Sequence, residues 1–230
     1  MQIGAGYRDM LLSGMSTTLL LSLSALLLAL VIGLIMAVLK QFGGRFIGGV
    51  ATLYTTVIRG IPDIALMLLL YYSLQIWLNN FTDWLGWEQI EISPFGAGVI
   101  ALGFIFGAYF TETFRGAFMA VSAGQLEAGL AYGLTRRACF SRILFPQMMR
   151  FALPGIANNW LVMVKATALV SLVGLSDITR AAQDAGRGSG KILLFLFISA
   201  AFYLAVTTIS SIAIHFLSRR YSAGVQELMA

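Results

Sequence analysis

Charged side chains are scarce in this chain. Its 230 residues include 15 Lys and Arg and 10 Asp and Glu, or 11% charge, where globular chains average about 25%. That scarcity excludes an ordinary hydrated surface. Cysteine and histidine are rarer still, with Cys139 and His215 the single examples. A disulfide within the chain is therefore impossible, and neither a Cys/His metal cluster nor a haem held by two histidines can be built. A Ser-His-Asp pattern on a soluble scaffold is absent too. No G-x-x-x-x-G-K-[ST] phosphate loop occurs: Gly186-Arg187-Gly188-Ser189-Gly190-Lys191 is Gly-rich but wrongly spaced. A net charge of only +5 is too little for a nucleic-acid binder. The chain is not expected to be an enzyme, and no soluble domain, low-complexity tract or internal repeat stands out.

What is abundant is apolar side chain. The hydrophobic set reaches 59% and the mean hydropathy is +0.85, more than a core of this size can hide from water, so lipid is the expected solvent. A spanning helix needs about 20 mainly apolar residues, and five runs qualify. They lie at about 10–39, 56–80, 94–118, 151–175 and 192–218. The first is too long for a signal-peptide core and lacks a small-residue cleavage site. Apolar/polar alternation is missing, which disfavours a strand barrel. The expected fold is all-α, a single membrane domain over residues 1–230.

Basic residues set orientation. Lys40 and Arg45 follow the first run, Arg136, Arg137, Arg142 and Arg150 fall between the third and fourth, and Arg219 and Arg220 follow the fifth. These three segments are expected to face the cytoplasm. The connection holding Asp83, Glu88 and Glu91 has no base, and its Trp84 and Trp87 suit the opposite interface. The N-terminus is then periplasmic and the C-terminus cytoplasmic. The connection Ser176 to Lys191 is mixed in sign and says least about topology.

The segment of about 120–150 holds helix-permitting sequence and breakers in order: Gly124, then Gln125 to Tyr132, Gly133, a basic stretch and Pro146. It reads as a short helix–turn–helix on the membrane. Within it, Glu127-Ala128-Gly129, three residues, Gly133, nine residues, then Ile143-Leu144-Phe145-Pro146 resembles the EAA motif of bacterial ABC importer permeases, departing from it at Gly129 and Phe145. Arg59-Gly60-Ile61-Pro62, Glu112-Thr113-Phe114-Arg115-Gly116-Ala117, Ala152-Leu153-Pro154 and Lys165-Ala166-Thr167-Ala168-Leu169-Val170-Ser171 look like the polar amino-acid uptake permeases. Within that family the chain most resembles the Q-type subunit of histidine/lysine/arginine/ornithine and opine systems.

The resemblance implies an ABC transporter permease of the bacterial inner membrane, with five transmembrane helices and a coupling helix between the third and fourth. It implies as partners a homologous M-type permease, forming a heterodimer with a homodimer as the alternative, two ATPase subunits and a periplasmic substrate-binding protein. No cofactor is then bound by this chain itself, ATP and Mg being held by the ATPase subunits. Gly124, Glu127, Ala128, Gly133, Arg136 and Arg137 become candidates for ATPase coupling. Glu127, expected near the start of the short helix, would be favoured by the helix dipole. The plainer alternatives are that Glu127 caps its own helix and that the arginines serve topology alone.

Ionisable groups inside a span are costly, which makes Asp63, Glu112 and Lys165 candidates for a substrate path. A carboxylate at Asp63 would attract a basic amino acid in a low-dielectric passage; it could equally cap the helix that Pro62 starts. Glu112 and Arg115, three apart, can pair structurally. Lys165, Thr167 and Ser171, with Asn158 and Asn159 before them, are read as a stripe that lines the path or clamps helices. Tyr71, Tyr72 and Tyr109 are expected to pack against lipid or neighbouring helices. The leading function is import of polar, basic amino acids. An ion-coupled secondary carrier and a membrane anchor without a transport role are the alternatives.

Overall fold

The computed structural model describes residues 5–221, so the chain ends, and the expectations about them, lie outside the described residues. In it are α1 (Ala5–Phe42), α2 (Arg45–Gly60), α3 (Asp63–Leu85), α4 (Pro94–Ala120), α5 (Ala123–Ala131), α6 (Arg136–Cys139), α7 (Phe145–Ala166), α8 (Ile178–Ser189) and α9 (Ile192–Tyr221). A π-helical turn, Phe140–Leu144, joins α6 to α7, and a 3₁₀ segment, Thr167–Val173, extends α7. Five helices are long and apolar enough to span: Gly6–Phe42, Asp63–Leu85, Pro94–Ala120, Arg136–Val173 and Ile192–Tyr221.

Small residues hold the centre together. Ala25, Ala29, Gly33 and Ala37 recur every fourth position along α1, which puts them on one face, and the three alanines are fully buried. They meet α4, which offers Gly98, Gly103 and Gly107. A Cβ on Gly103 would lie 2.5 Å from Leu28, and one on Gly107 would lie 2.7 Å from Ile32. Contacts at 21/98, 28/103 and 32/107, with Phe42 on Phe118 (5.8 Å between rings), show α1 and α4 running parallel. Where water gives no hydrophobic drive between helices, such close backbone approach is what dispersion attraction requires.

Three sequence expectations are corrected. The run at 56–80 is not one helix. Ile61, forced extended by the following proline (φ −107°, ψ 140°), ends α2, and Pro62 opens α3. The fourth span starts well before residue 151, at Arg136; Pro146 lacks the N–H a regular turn needs, and the π turn, whose Phe145 N–H reaches Phe140 O, absorbs the defect. The connection from Ser176 to Lys191 folds as α8. Asp177 caps it, accepting the Arg180 N–H at 2.9 Å, and Ile178, Ala181, Ala182 and Ala185 form its buried face. Burial pushes the Asp177 carboxyl above the usual carboxylate range. Helix α8 packs beside the start of α1, where Ile178 N–H donates to Thr18 Oγ1 at 3.1 Å.

The parallel pair defines two ends. Lys40, Arg45, the Arg136–Arg150 group and Arg219–Arg220 gather with α5 at one end, where Tyr221 lines a cleft with Gln125, Pro146 and Arg150. Helix α8 and the α3–α4 connection lie toward the other. There the Gln75 amide pins the connection, donating to Ile90 O (3.0 Å) while Oε1 accepts from Ile92 N–H (2.9 Å).

Candidate functional site: a polar cluster at a broken span

Polar groups converge where α2 gives way to α3. Tyr109 on α4 donates its hydroxyl to Asp63 Oδ1 at 3.4 Å, and the Arg59 guanidinium stacks over the Tyr109 ring at 5.5 Å. Asp63 is the first residue of α3, half-buried, with Pro62 in the N-cap position, and among the described residues its carboxylate is bonded by Tyr109 and by no backbone N–H, so the capping alternative is not what is seen. One turn further along α4, Glu112 is held twice. Lys40 Nζ donates to its Oε1 at 2.5 Å, and Arg115 Nε lies 3.4 Å from Oε2. The Arg115 pairing is the one expected from spacing; Lys40, read from sequence as a marker of topology, is the closer partner. The same ammonium donates to Thr55 Oγ1 of α2 at 2.8 Å. A cavity of about 380 Å³ is lined by Lys40, Thr55, Thr56, Arg59, Gly60, Tyr109 and Glu112.

The structure therefore brings Asp63 and Glu112 together through Tyr109, and adds Lys40, Thr55 and Arg59, none of which the sequence singled out for this place. It does not unite the remaining path candidates on one face. Lys165 is exposed at the end of α7, on the same side as exposed Asn158. Thr167 begins the 3₁₀ segment, is fully buried, and donates to Val164 O at 2.6 Å. Ser171 donates to Ala168 O at 2.7 Å. The stripe is split because Lys165 and Thr167, two residues apart, point to opposite sides of a helix, and the 3₁₀ segment from Thr167 alters the angular step beyond them. Asn159 turns the other way, donating to Thr113 Oγ1 of α4 at 3.0 Å.

At the α5 end, Gly124, Glu127, Ala128, Arg136 and Arg137 are exposed. Glu127 is the fifth residue of a helix beginning at Ala123, not near its start as the sequence suggested, and among the described residues it has no ion-pair partner. Gly133 closes α5 with φ +82°. Its N–H donates to Leu130 O (2.9 Å) and the Leu134 N–H to Gly129 O (3.0 Å), the two bonds of a Schellman cap. Gly129 is buried; a Cβ there would sit 2.6 Å from Ile143 Cδ1 and 3.0 Å from Cys139 Sγ, so alanine fits only if those side chains shift. Gly129→Ala is expected to loosen the loop by about 1–3 kcal/mol, the usual cost of overpacking. Its proteolytic nicking should rise, and Ile143→Val, which deletes the opposing methyl, should reverse the rise.

Comparison with known proteins follows the same lines. A family model described as a binding-protein-dependent transport system inner membrane component matches residues 29–223. The histidine/lysine/arginine/ornithine transport system permease protein HisQ of Escherichia coli (strain K12) is 52% identical over 221 residues, covering 96% of this chain and 97% of that protein. The arginine ABC transporter permease protein ArtQ of Haemophilus influenzae is 40% identical over 205 residues, covering 89% and 90%. A crystal structure of an amino acid ABC transporter with histidines superposes with a TM-score of 0.77 at 31% identity, covering 94% and 95%.

Proposed function

The chain belongs to the family of binding-protein-dependent transport system inner membrane components, and from that premise we propose that it is the Q-type permease of an ATP-driven importer of basic amino acids. The observation that carries this reading is the 52% identity to HisQ over nearly the whole of both chains. The α5 end faces the cytoplasm of a bacterial inner membrane, since the bases collect there. An M-type homologue completes the passage, two ATPase subunits dock on α5 and bind the ATP and Mg, and a periplasmic binding protein delivers substrate at the far end. Exposed Gly124, Glu127 and Ala128 form the docking face, with Arg136 and Arg137 beside it.

The path runs past the break between α2 and α3. Interrupted spans bring helix ends and polar side chains to membrane depth, where ions and charged substrates are bound. Asp63, steered by Tyr109, takes the cationic side chain. The Arg59 guanidinium, with no carboxylate within 4.0 Å among the described residues, is free for the α-carboxylate. Glu112 borders the path with its charge already neutralised. Lys165 and Asn158 face outward, toward the second permease; Thr167 and Ser171 support the bend behind them.

The test is reconstitution of the four-component complex in proteoliposomes. ATP hydrolysis stimulated by the binding protein and coupled uptake of arginine or lysine are expected; copurification with no ATPase would refute the reading. In the same assay Asp63→Asn should lower uptake of arginine about tenfold, the equivalent of about 1.4 kcal/mol, while neutral histidine changes less than about twofold. Equal loss for both substrates would make Asp63 a structural residue.

A further inference from the structure

We propose that the Lys40–Glu112 ion pair, together with Thr55, is the joint that hands movement of α4 to the broken second span. The inference rests on the permease reading given above; it assigns a role to Lys40 and Thr55, which the substrate path leaves without one, and to Glu112, which borders the path without binding substrate because Lys40 holds its carboxylate.

A single ammonium connects three helices. Lys40 of α1 donates to Glu112 of α4 and to Thr55 of α2. On one side, Glu112 is linked to α5 by continuous helix as far as Ala120; at 1.5 Å per residue those eight residues span about 12 Å, a rod too short to bend appreciably. On the other side, α2 buries only Ala51, Thr55 and Ile58, so its hold on the bundle depends on few contacts. Besides Thr55, these include the Tyr54 hydroxyl bonded to Phe104 O and Arg59 stacked on Tyr109. Five residues after Thr55 comes the break at Gly60–Pro62, and then Asp63. A displacement of α5 therefore reaches Glu112 through the short link of Val121 and Ser122 and the end of α4, passes through Lys40 to Thr55, and arrives at the substrate side chains.

The surroundings suit a joint that moves. The 380 Å³ cavity flanks Lys40, Thr55 and Glu112, leaving α2 room to shift against α4. A charged pair in a low-dielectric site is directional and has two discrete conditions, made or broken, whereas apolar side chains slide. Coupling between distant sites needs an element of that two-state kind.

An apolar replacement separates holding from signalling. Removing one partner strands a charge, but exchanging a buried pair for packed apolar groups is commonly neutral for stability. Lys40→Met with Glu112→Leu, in the complete complex, should therefore keep ATPase copurification and basal ATP hydrolysis near those of the unmodified complex. Uptake per ATP hydrolysed should nonetheless fall about tenfold, within the usual range of allosteric coupling. Thr55→Val, which keeps the pair and deletes only its attachment to α2, should lower the same ratio severalfold without affecting assembly, and it decides the matter if the double variant does not assemble. Variants that transport with the unmodified ratio would overturn the joint alone. An unmodified complex that does not transport would overturn the permease reading and the joint with it.

Discussion

Gly107→Leu should cost most of the folded protein. The Cβ alone would fall 2.7 Å from Ile32 Cγ2 and 2.8 Å from the Tyr54 hydroxyl, and the remaining leucine atoms have nowhere to go between two parallel helices. Overpacking of a filled interior costs about 1–3 kcal/mol. Displacing Tyr54 also breaks its bond to Phe104 O, worth about 1 kcal/mol more and leaving a half-buried phenol unsatisfied. The fraction of protein surviving a heat step in detergent, read by size-exclusion chromatography, is expected to collapse. Gly107→Ala should be intermediate, because Ile32 can swing part of the way. Gly116→Leu should match the unmodified protein, since a Cβ there meets nothing within 4 Å. If Gly107→Leu behaved like Gly116→Leu, close approach of α1 and α4 would not be what holds the bundle.

That seam is legible in the sequence. Ala25, Ala29, Gly33 and Ala37 stand at strict fourth-residue spacing, as do Gly103 and Gly107, and small residues at that spacing are a packing signal in apolar helices. Hydropathy found the five spans because length and apolar content are properties of single segments. Hydropathy alone does not place the break in the second span; Pro62, read as starting a helix, marks it, because the residue before a proline is restricted to extended backbone. Nor did charge counting reveal α8, whose capping Asp177 and alanine face were hidden in a stretch of mixed sign.

The polar cluster shows a deeper limit. Glu112 and Arg115 could be paired from spacing because both lie on one helix turn. Lys40 and Glu112 are 72 positions apart, and nothing local predicts their meeting. It follows only once α1 and α4 are known to run parallel with the offset that sets Phe42 on Phe118. Lys40 was therefore read as a topological charge when its ammonium in fact points inward. The split of Lys165 from Thr167 has a plainer cause: residues two apart on a helix face opposite ways, so the two never belonged to one stripe.

Gly133→Val should have the largest effect on transport of any change at the α5 end. Gly133 holds φ at +82°, a region that costs an L-residue about 1–2 kcal/mol and is still less tolerant of a β-branched side chain. The cost falls on two hydrogen bonds at once, because the Gly133 and Leu134 N–H groups close the carbonyls of Leu130 and Gly129. Losing both frees the last turn of a helix only nine residues long, and a helix that short has no cooperative reserve to keep the rest in place. Glu127 and Ala128 would then lose their fixed presentation while the spans remain folded; among the described residues no atom beyond the chain neighbours lies within 4 Å of the Gly133 Cβ position. Coupled uptake should be abolished and ATPase copurification weakened, with heat survival of the membrane portion unchanged. Asparagine tolerates the left-handed region best among the other residues, so activity should fall in the order Gly, Asn, Ala, Val. If valine were as active as asparagine, the backbone requirement would be void. Were uptake lost together with heat survival, the turn would be holding the bundle and not presenting α5.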